Sequence, residues 1–412
     1  MFAINPLRAA REVGSTYLAR DRFTRVRAWV TGVMSYLFAG TIYAQAMPVD
    51  ILYIQEVSAE PPAIPAVFKR AEDEGVAGAR LGIEDSNTTG RFLKHDYSLH
   101  VISDTDPNAL FDTALSWKAL HSGVVVADVG DALLRKLIHD GSMDVVINVG
   151  SATDNWRSSQ CETGLLHTLP SHAMLADALA QYLTYRRWDQ VLAVSGKGVA
   201  DEAILNAYKR AAKRFGLKIL DTRKWTFTTD LRRAAQQEVA QFTRLKNYDV
   251  VLVADAANQF GFYLPYNTYL PRPVVGTHGL TPSAWHVSVE QWGALQLQNR
   301  FREDVGRDMR GKDYAAWVAV RAVSEAVTRT SDNTPKTLYN YMMSDSFELA
   351  AFKGRKLTFR QYNGQLRQPI PVAHPHGLVT QSPQDGFLHQ VTELDTLGYD
   401  KPEVSCDMET TL

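Results

Sequence analysis

Short apolar runs rich in Val and Ile alternate with amphipathic helical stretches from residue 49 onward, in two successive sets. The strand-like runs are residues 50–57, 97–102, 124–127 and 144–149, then 190–194, 218–219 with 224–227, 249–254 and 273–276. The stretches between them, 109–121, 132–139, 173–186, 200–214 and 232–245, carry apolar residues at helical spacings of three and four. Ala203, Ala207 and Ala211 with Leu205, Tyr208 and Phe215 form one such stripe. A strand that is apolar on both faces cannot leave either in water, so it belongs in a parallel sheet covered by helices on both sides. The expected fold is therefore α/β, with two Rossmann-like lobes whose parallel sheets are joined by a multi-strand hinge.

Residues 163–170 read as a segment crossing between the lobes. Beyond Thr281 the pattern turns helical (290–302, 314–328, 336–344) and then β-rich (356–361, 369–372), with the turn signal Tyr362-Asn363-Gly364 between the last two runs. The tail after Ser382 has weak periodicity and reads as a surface extension. The expected division is 1–46 leader, 47–168 first lobe, 169–280 second lobe, 281–345 return to the first, 346–385 return to the second, and 386–412 extension.

The leader carries Arg8, Arg11, Arg20, Arg22, Arg25 and Arg27 ahead of an uncharged, mostly apolar run, 28–43, which ends in Ala44-Gln45-Ala46. A basic region, an apolar region and an A-x-A end describe a secretory signal peptide, and the run is short for a membrane span. An ordinary N-terminal helix or an uncleaved anchor is the competing reading. Cleavage near Met47 would place the protein in the periplasm, where chemistry dependent on ATP or NAD(P)H has no supply. A net charge of −1 lacks the basic footprint of a nucleic-acid binder. Much of the basic charge lies in the leader, so the remainder is more acidic and favours a neutral or cationic ligand over an anion.

The chain has two cysteines, Cys161 and Cys406. In an exported protein an isolated pair is expected to form a disulfide, which here would pin the tail to the first lobe. Two free thiols are the alternative. Neither cysteine has a CxxC or His-rich setting.

The order of segments resembles that of the type I periplasmic solute-binding proteins, the branched-chain amino-acid-binding (Leu/Ile/Val-binding-like) family of ABC importers, over roughly residues 49–382. Residues 80–87 stand where that family has its first helix, and 144–150 with 151–156 stand for its fourth strand and ligand loop. Tyr314-Ala315-Ala316-Trp317 begins the return helix, and Phe352-Lys353-Gly354 through Leu357-Thr358-Phe359 and Asn363-Gly364-Gln365 resembles the late hairpin. The resemblance implies two lobes that close on a small organic solute, a permease partner in the inner membrane, a monomer, no cofactor and no catalysis. Two departures stand out. The family's Ser/Thr run after the third strand is replaced by Ala127-Asp128-Val129-Gly130-Asp131, and the opening loop reads Glu56-Val57-Ser58-Ala59-Glu60-Pro61-Pro62. Like charge at Asp128 and Asp131 disfavours a carboxylate ligand. The divergent loops and long tail are similar to binding proteins encoded beside PQQ-dependent alcohol dehydrogenases.

Ligands of open α/β sheets sit beyond the carboxyl ends of the strands. That rule selects Glu56, Ser58 and Glu60, then Asp128, Gly130 and Asp131, then Ser151, Thr153, Asp154, Asn155 and Trp156. In the second lobe it selects Ser195 and Lys197, Asp255 and Asn258, and Thr277 and His278. Each has a plainer reading. Ser151 and Thr153 can cap a turn, Trp156 can pack in the core, and His278 can serve the hinge. Glu56, Asp128, Asp131 and Asp154 could together hold calcium or a lanthanide through oxygen, or could be solvated rims and caps. Ser195-Gly196-Lys197-Gly198 lacks the spacing of a phosphate loop, and His374-Pro375-His376 reads as a rigid turn. No G-x-S-x-G or H-E-x-x-H motif appears. The competing functions are a transport receptor, a cleft enzyme, a sensor or scaffold of the same fold, and a metal binder.

Overall fold

Ile51, Leu52, Tyr53 and Ile54 are consecutive in sequence and all fully buried, because successive side chains of one strand enter two different cores. Ile51 and Tyr53 join Val124, Val126 and Ile147 on one face of a sheet, while Leu52 and Ile54 join Val125, Ala127 and Val146 on the other. The computed structural model describes residues 46–57, 71–140, 143–226, 235–406, 408 and 412. Residues 1–45 of the leader, with the peptidase signal at Ala44-Gln45, lie outside the described residues, as do Ser58, Glu60, Pro61 and Pro62. Among the described residues no helix is long and apolar enough to cross a membrane.

The first lobe contains the strands β1 (Met47–Glu56), β2 (His95–Asp104), β3 (Gly123–Asp128), β4 (Val146–Asn148) and β5 (Leu165–His167), all parallel, in the order β2-β1-β3-β4-β5. Three helices follow strands: α1 (Val76–Leu93), α2 (Pro107–Lys118) and α3 (Asp131–His139). β5 is a correction: residues 163–170, expected only as a crossing segment, contribute a fifth strand before they cross. Leu-Leu-His is too short and lacks the β-branched residues that would mark it.

The second lobe begins with α4 (His172–Tyr185) and continues through β6 (Gln190–Ser195), α5 (Val199–Phe215), β7 (Lys218–Lys224), α6 (Ala235–Phe242), β8 (Val250–Ala254) and β9 (Val274–Gly276). Its parallel sheet has the order β7-β6-β8-β9. The same two-sided burial recurs. Val191 and Ala193 face one core with α4 and α5, whereas Leu192 and Val194 face another with Phe242 and Phe260.

After β10 (Thr281–Pro282) the chain returns to the first lobe as α7 (Ala294–Val305), α8 (Gly311–Thr330) and α9 (Pro335–Met342). α8 runs against α1 so closely that a Cβ on Gly78 would stand 1.9 Å from the carbonyl oxygen of Asp313. Asp313 also accepts from the amides of Gly75 (2.8 Å) and Arg310 (3.0 Å) and pairs with Arg307, which ties the two helix starts together.

The C-terminal strands are β11 (Leu349–Ala350), β12 (Lys356–Phe359), β13 (Leu366–Arg367), β14 (Ile370–His374) and β15 (Gly377–Ser382). The Asn363-Gly364 turn joins β12 to β13, not to residues 369–372, of which 370–372 lie in β14 and pair with β15 instead. Gly364 takes φ +65° there, and its amide closes the turn on the Arg360 carbonyl at 2.8 Å. Leu349, Leu357, Phe359 and Leu366 share the core of β1 and α8. Residues 349–367 therefore pack with the first lobe, whereas Ile370 packs with Met174 and Ala178 of α4 and Val372 joins the core of the second.

The chain passes between lobes at 167–172, at 282–294 and at 367–370. Buried side chains bind these passages to one another. Gln365 Nε2 donates to the carbonyls of His167 (3.1 Å) and Leu169 (3.2 Å), and Gln368 Nε2 to that of Thr168 (2.8 Å). Lys353 donates to the carbonyls of Ala284 and Pro369 (2.9 Å for the second). Burial lowers its pKa to about 7, so the amine is held without a carboxylate partner among the contacts described.

The tail is not a loose surface extension. Leu394, Asp395 and Leu397 are buried, and Asp395 accepts from Arg360 and Arg367. Asp177 of α4 receives Arg210 and Arg214 of α5, and Arg210 also reaches Glu403 of the tail at 2.8 Å. Three residues further on, a disulfide joins Cys406 to Cys161 of the first lobe across 245 positions. The tail thus holds both lobes.

Candidate functional site

The carboxyl ends of both parallel sheets open onto one cleft of about 870 Å³, whose walls come from the two lobes. From the first lobe come Glu56 at the end of β1, Asp128 at the end of β3, Gly130 and Asp131 at the start of α3, and Ser151 and Thr153 after β4. From the second come Ile204 and Tyr208 on α5, Asp255 and Asn258 after β8, and Thr277 after β9. Leu169 and His172 line it from the first passage between lobes.

Asn148 shapes the loop after β4. Its Oδ1 accepts from the amides of Gly150 (3.1 Å) and Ser151 (2.9 Å), and its Nδ2 donates to the Ser151 carbonyl at 2.8 Å. This turn presents Ser151 Oγ and Thr153 Oγ1 to Asp131, which accepts from both, the second at 2.8 Å, and from Trp156 Nε1 at 3.0 Å. Burial works to raise the Asp131 pKa, but these hydrogen bonds to the charged form outweigh it and hold the carboxyl below its ordinary value. Asp131 is also the first residue of α3, where the helix dipole favours negative charge. Beside it the Gly130 amide donates to Glu56 Oε2 at 2.7 Å. Two of the chain's own carboxylates therefore occupy the amino end of α3.

Asp128 is 4% exposed and accepts from Lys312 Nζ at 2.7 Å, in the first turn of α8, and from the Tyr53 hydroxyl at 3.3 Å. Burial, with the Asp128 charge added to it, pushes the Tyr53 hydroxyl well above its ordinary pKa and keeps it a neutral donor. On the opposite wall Asp255 is 2% exposed and accepts from the amides of Gln259 (2.9 Å), Phe260 (2.8 Å) and Gly261 (2.7 Å). Asn258 sits inside that turn with φ 53°. Burial lowers the His172 pKa against the opposing charge of Asp154, and so disfavours the imidazolium.

Of the residues selected from sequence, Glu56, Asp128, Asp131, Ser151, Thr153, Asp255 and Asn258 line this cleft. Ser58 lies outside the described residues. Four others are drawn elsewhere. Asp154 turns away to cap α4, its Oδ1 accepting from the Ala173 amide at 2.9 Å. Trp156 is 1% exposed in the core behind α3, with Arg135 over its ring, and acts on the cleft only by holding Asp131. His278 is buried against Gly261, where a Cβ would come within 2.1 Å of its Nδ1. Lys197 is exposed in the turn before α5 and does not contribute to the lining. The four acids weighed as oxygen ligands are held by these separate partners, and no group of three or more His, Cys, Asp or Glu suited to a metal exists among the described residues.

The lining also contains Glu72, Glu74, His172, Ile204, Tyr208 and Lys312, none of which was selected. Glu72 and Glu74 lie in a stretch without periodicity. Tyr208 was read only as part of a buried stripe. Lys312 stands immediately before the return helix pattern at Tyr314, and no local signal connects it to Asp128.

No protein-family model matches the sequence, and no curated protein matches it. Solved structures do. A branched-chain amino-acid ABC transporter periplasmic ligand-binding protein from Burkholderia xenovorans LB400 aligns with a TM-score of 0.66, at 14% identity, over 81% of this chain and 95% of its own. The chain has the type I periplasmic-binding-protein fold. The Brucella ovis leucine-, isoleucine-, valine-, threonine- and alanine-binding protein, in a closed conformation, aligns with a TM-score of 0.65 at 13% identity, covering 88% of this chain and 100% of that one. An ABC transporter solute-binding protein from R. palustris in complex with benzoate gives 0.60 at 10% identity, covering 88% and 99%. At these identities the agreement is one of fold.

Proposed function

We propose that this chain is the exported solute-binding component of an ABC importer, a monomer whose lobes close on a small organic solute and deliver it to a permease in the inner membrane. The observation that carries this reading is the cleft of about 870 Å³ with walls from two lobes. A solute held there is covered on both sides only when the lobes approach, so binding and closure become one event. The amino-acid-binding and benzoate-bound neighbours of the same fold support a small organic solute.

The polar groups of the cleft favour binding over catalysis. The Ser151 hydroxyl donates to Asp131, Lys312 to Asp128, and three backbone amides to Asp255. These contacts hold the walls in shape, and Asp131, held below its ordinary pKa by its donors, is a weak base toward the Ser151 hydroxyl. The divergent loops and long tail support a place beside PQQ-dependent alcohol oxidation. A deletion strain should then grow more slowly on alcohols than on sugars.

The central test is small-angle scattering and calorimetry of the purified protein with a solute library. One-to-one binding with a fall in radius of gyration is expected. Failure of every solute to bind or to close the lobes would overturn the reading.

A further inference from the structure

We infer that the cleft is built for an organic cation, an ammonium or guanidinium group on a partly apolar body, and that it excludes free carboxylates. The inference rests on the solute-binding reading above and names the class of solute.

The place where an anion would gain most is already filled. A helix amino end favours negative charge, because its peptide dipoles and free amides point toward it. At α3 the Gly130 amide is given to Glu56 Oε2 at 2.7 Å, and Asp131 occupies the first helical position. A solute carboxylate would have to displace Glu56 and then sit beside Asp131. Both steps cost binding energy through lost hydrogen bonds and like charge.

The rest of the lining carries the same sign. Among the described residues the cleft presents Glu56, Glu72, Glu74, Asp128, Asp131 and Asp255 against a single lysine, Lys312. Lys312 is engaged by Asp128 at 2.7 Å, and burial disfavours a charge on His172. Gln55 Nε2 donates to the backbone carbonyls of Glu72 and Glu74 at 3.3 Å each, which holds that segment beside Glu56 at the end of β1, and the Glu74 carboxylate is shared with Arg310 at 3.4 Å. A cleft lined by one sign of charge between low-dielectric walls focuses that potential on whatever enters. Leu169, Leu175, Ile204, Tyr208 and Pro282 supply the surface on which an apolar body can rest.

The test uses the disulfide-intact protein, freed of small molecules by reversible denaturation. It is challenged by thermal shift and calorimetry with a panel of biological amines, quaternary ammonium compounds, guanidines, alcohols, amino acids including leucine, and carboxylates including benzoate. The tightest binders are expected among the cations. Their affinity should weaken as salt is raised, and should fall at least about tenfold in Glu56→Gln/Glu72→Gln protein. Salt dependence in the unaltered protein keeps the inference open to refutation even where that variant folds poorly. If carboxylates, zwitterions or alcohols bind most tightly, the cation inference is overturned and the solute-binding reading survives. If no member of any class binds, both are overturned.

Discussion

Lys312 Nζ donates to Asp128 Oδ1 at 2.7 Å, and this contact ties the first turn of α8 to the carboxyl end of β3 within the cleft wall. Asp128 and Lys312 are 184 positions apart in sequence, and the carboxylate is nearly buried. Removing one partner leaves the other in a site built for a pair, which costs more than replacing both. Lys312→Met should therefore lower stability by about 1.5–3 kcal/mol. The double replacement Asp128→Asn/Lys312→Met should cost less than the sum of the single changes. Urea unfolding of the four proteins at neutral pH measures that coupling, and strict additivity would show that the contact contributes nothing.

Asp131 should govern part of the acid sensitivity. Its carboxyl is held below its ordinary value, so its contribution is present above the unfolded-state pKa of about 4 and is lost as pH falls through the lower folded value. Asp131→Asn should flatten the acid limb of the melting temperature against pH. It should also loosen Ser151, Thr153 and Trp156 together, which Trp fluorescence can follow. An unchanged acid limb would contradict this.

Lys353 predicts a rise in stability with pH of the same sign, but in the alkaline range. Burial lowers its folded pKa to about 7, while an unfolded lysine titrates near 10.4. Between those values the unfolded chain binds more protons, so the lysine's contribution to stability rises with pH, by at most about 1.4 kcal/mol per pH unit. Below pH 7 both states are protonated and the contribution is flat. Subtracting the pH profile of Lys353→Met protein from that of the native chain isolates this slope, and a difference that falls from pH 7 to 9 would refute it.

The disulfide closes a very long loop, Cys161 and Cys406 being 245 positions apart in sequence. Cys406→Ser should cost about 2–5 kcal/mol. The neighbouring contacts of Ser405 with the Ser158 carbonyl should be lost first, because they depend on the same short stretch of tail. Hydrogen exchange at Ser405 and in α5, where Arg210 holds Glu403, would rise if the tail is released. Protection unchanged at both would show that the tail is held without the bridge.

The two-lobe α/β architecture was legible because burial on both faces leaves a mark on every residue of a strand. Ile51 through Ile54 cannot read as anything but apolar when one neighbour faces α8 and the next faces α2. Strand ends were legible for the same reason, which is why Glu56, Asp128, Asp131, Ser151, Thr153, Asp255 and Asn258 could be selected and do line the cleft. Short or interrupted elements were not. β5 has three residues, and the Asn363-Gly364 turn identified a hairpin without identifying its second strand.

What only the tertiary structure decided is the direction and partner of each polar group. Asp131 and Asp154 are both acids at strand-end loops. One faces the cleft because Ser151, Thr153 and Trp156 converge on it, and the other turns to the Ala173 amide. Lys312 reaches Asp128 from the far end of the chain, and the Cys161–Cys406 pairing and the Gln365 contacts across the hinge are likewise long-range. Periodicity reports which face of its own element a residue occupies. Hydrogen bonds and charge pairs between elements depend on where the other element ends up, and that is set by packing of the whole chain.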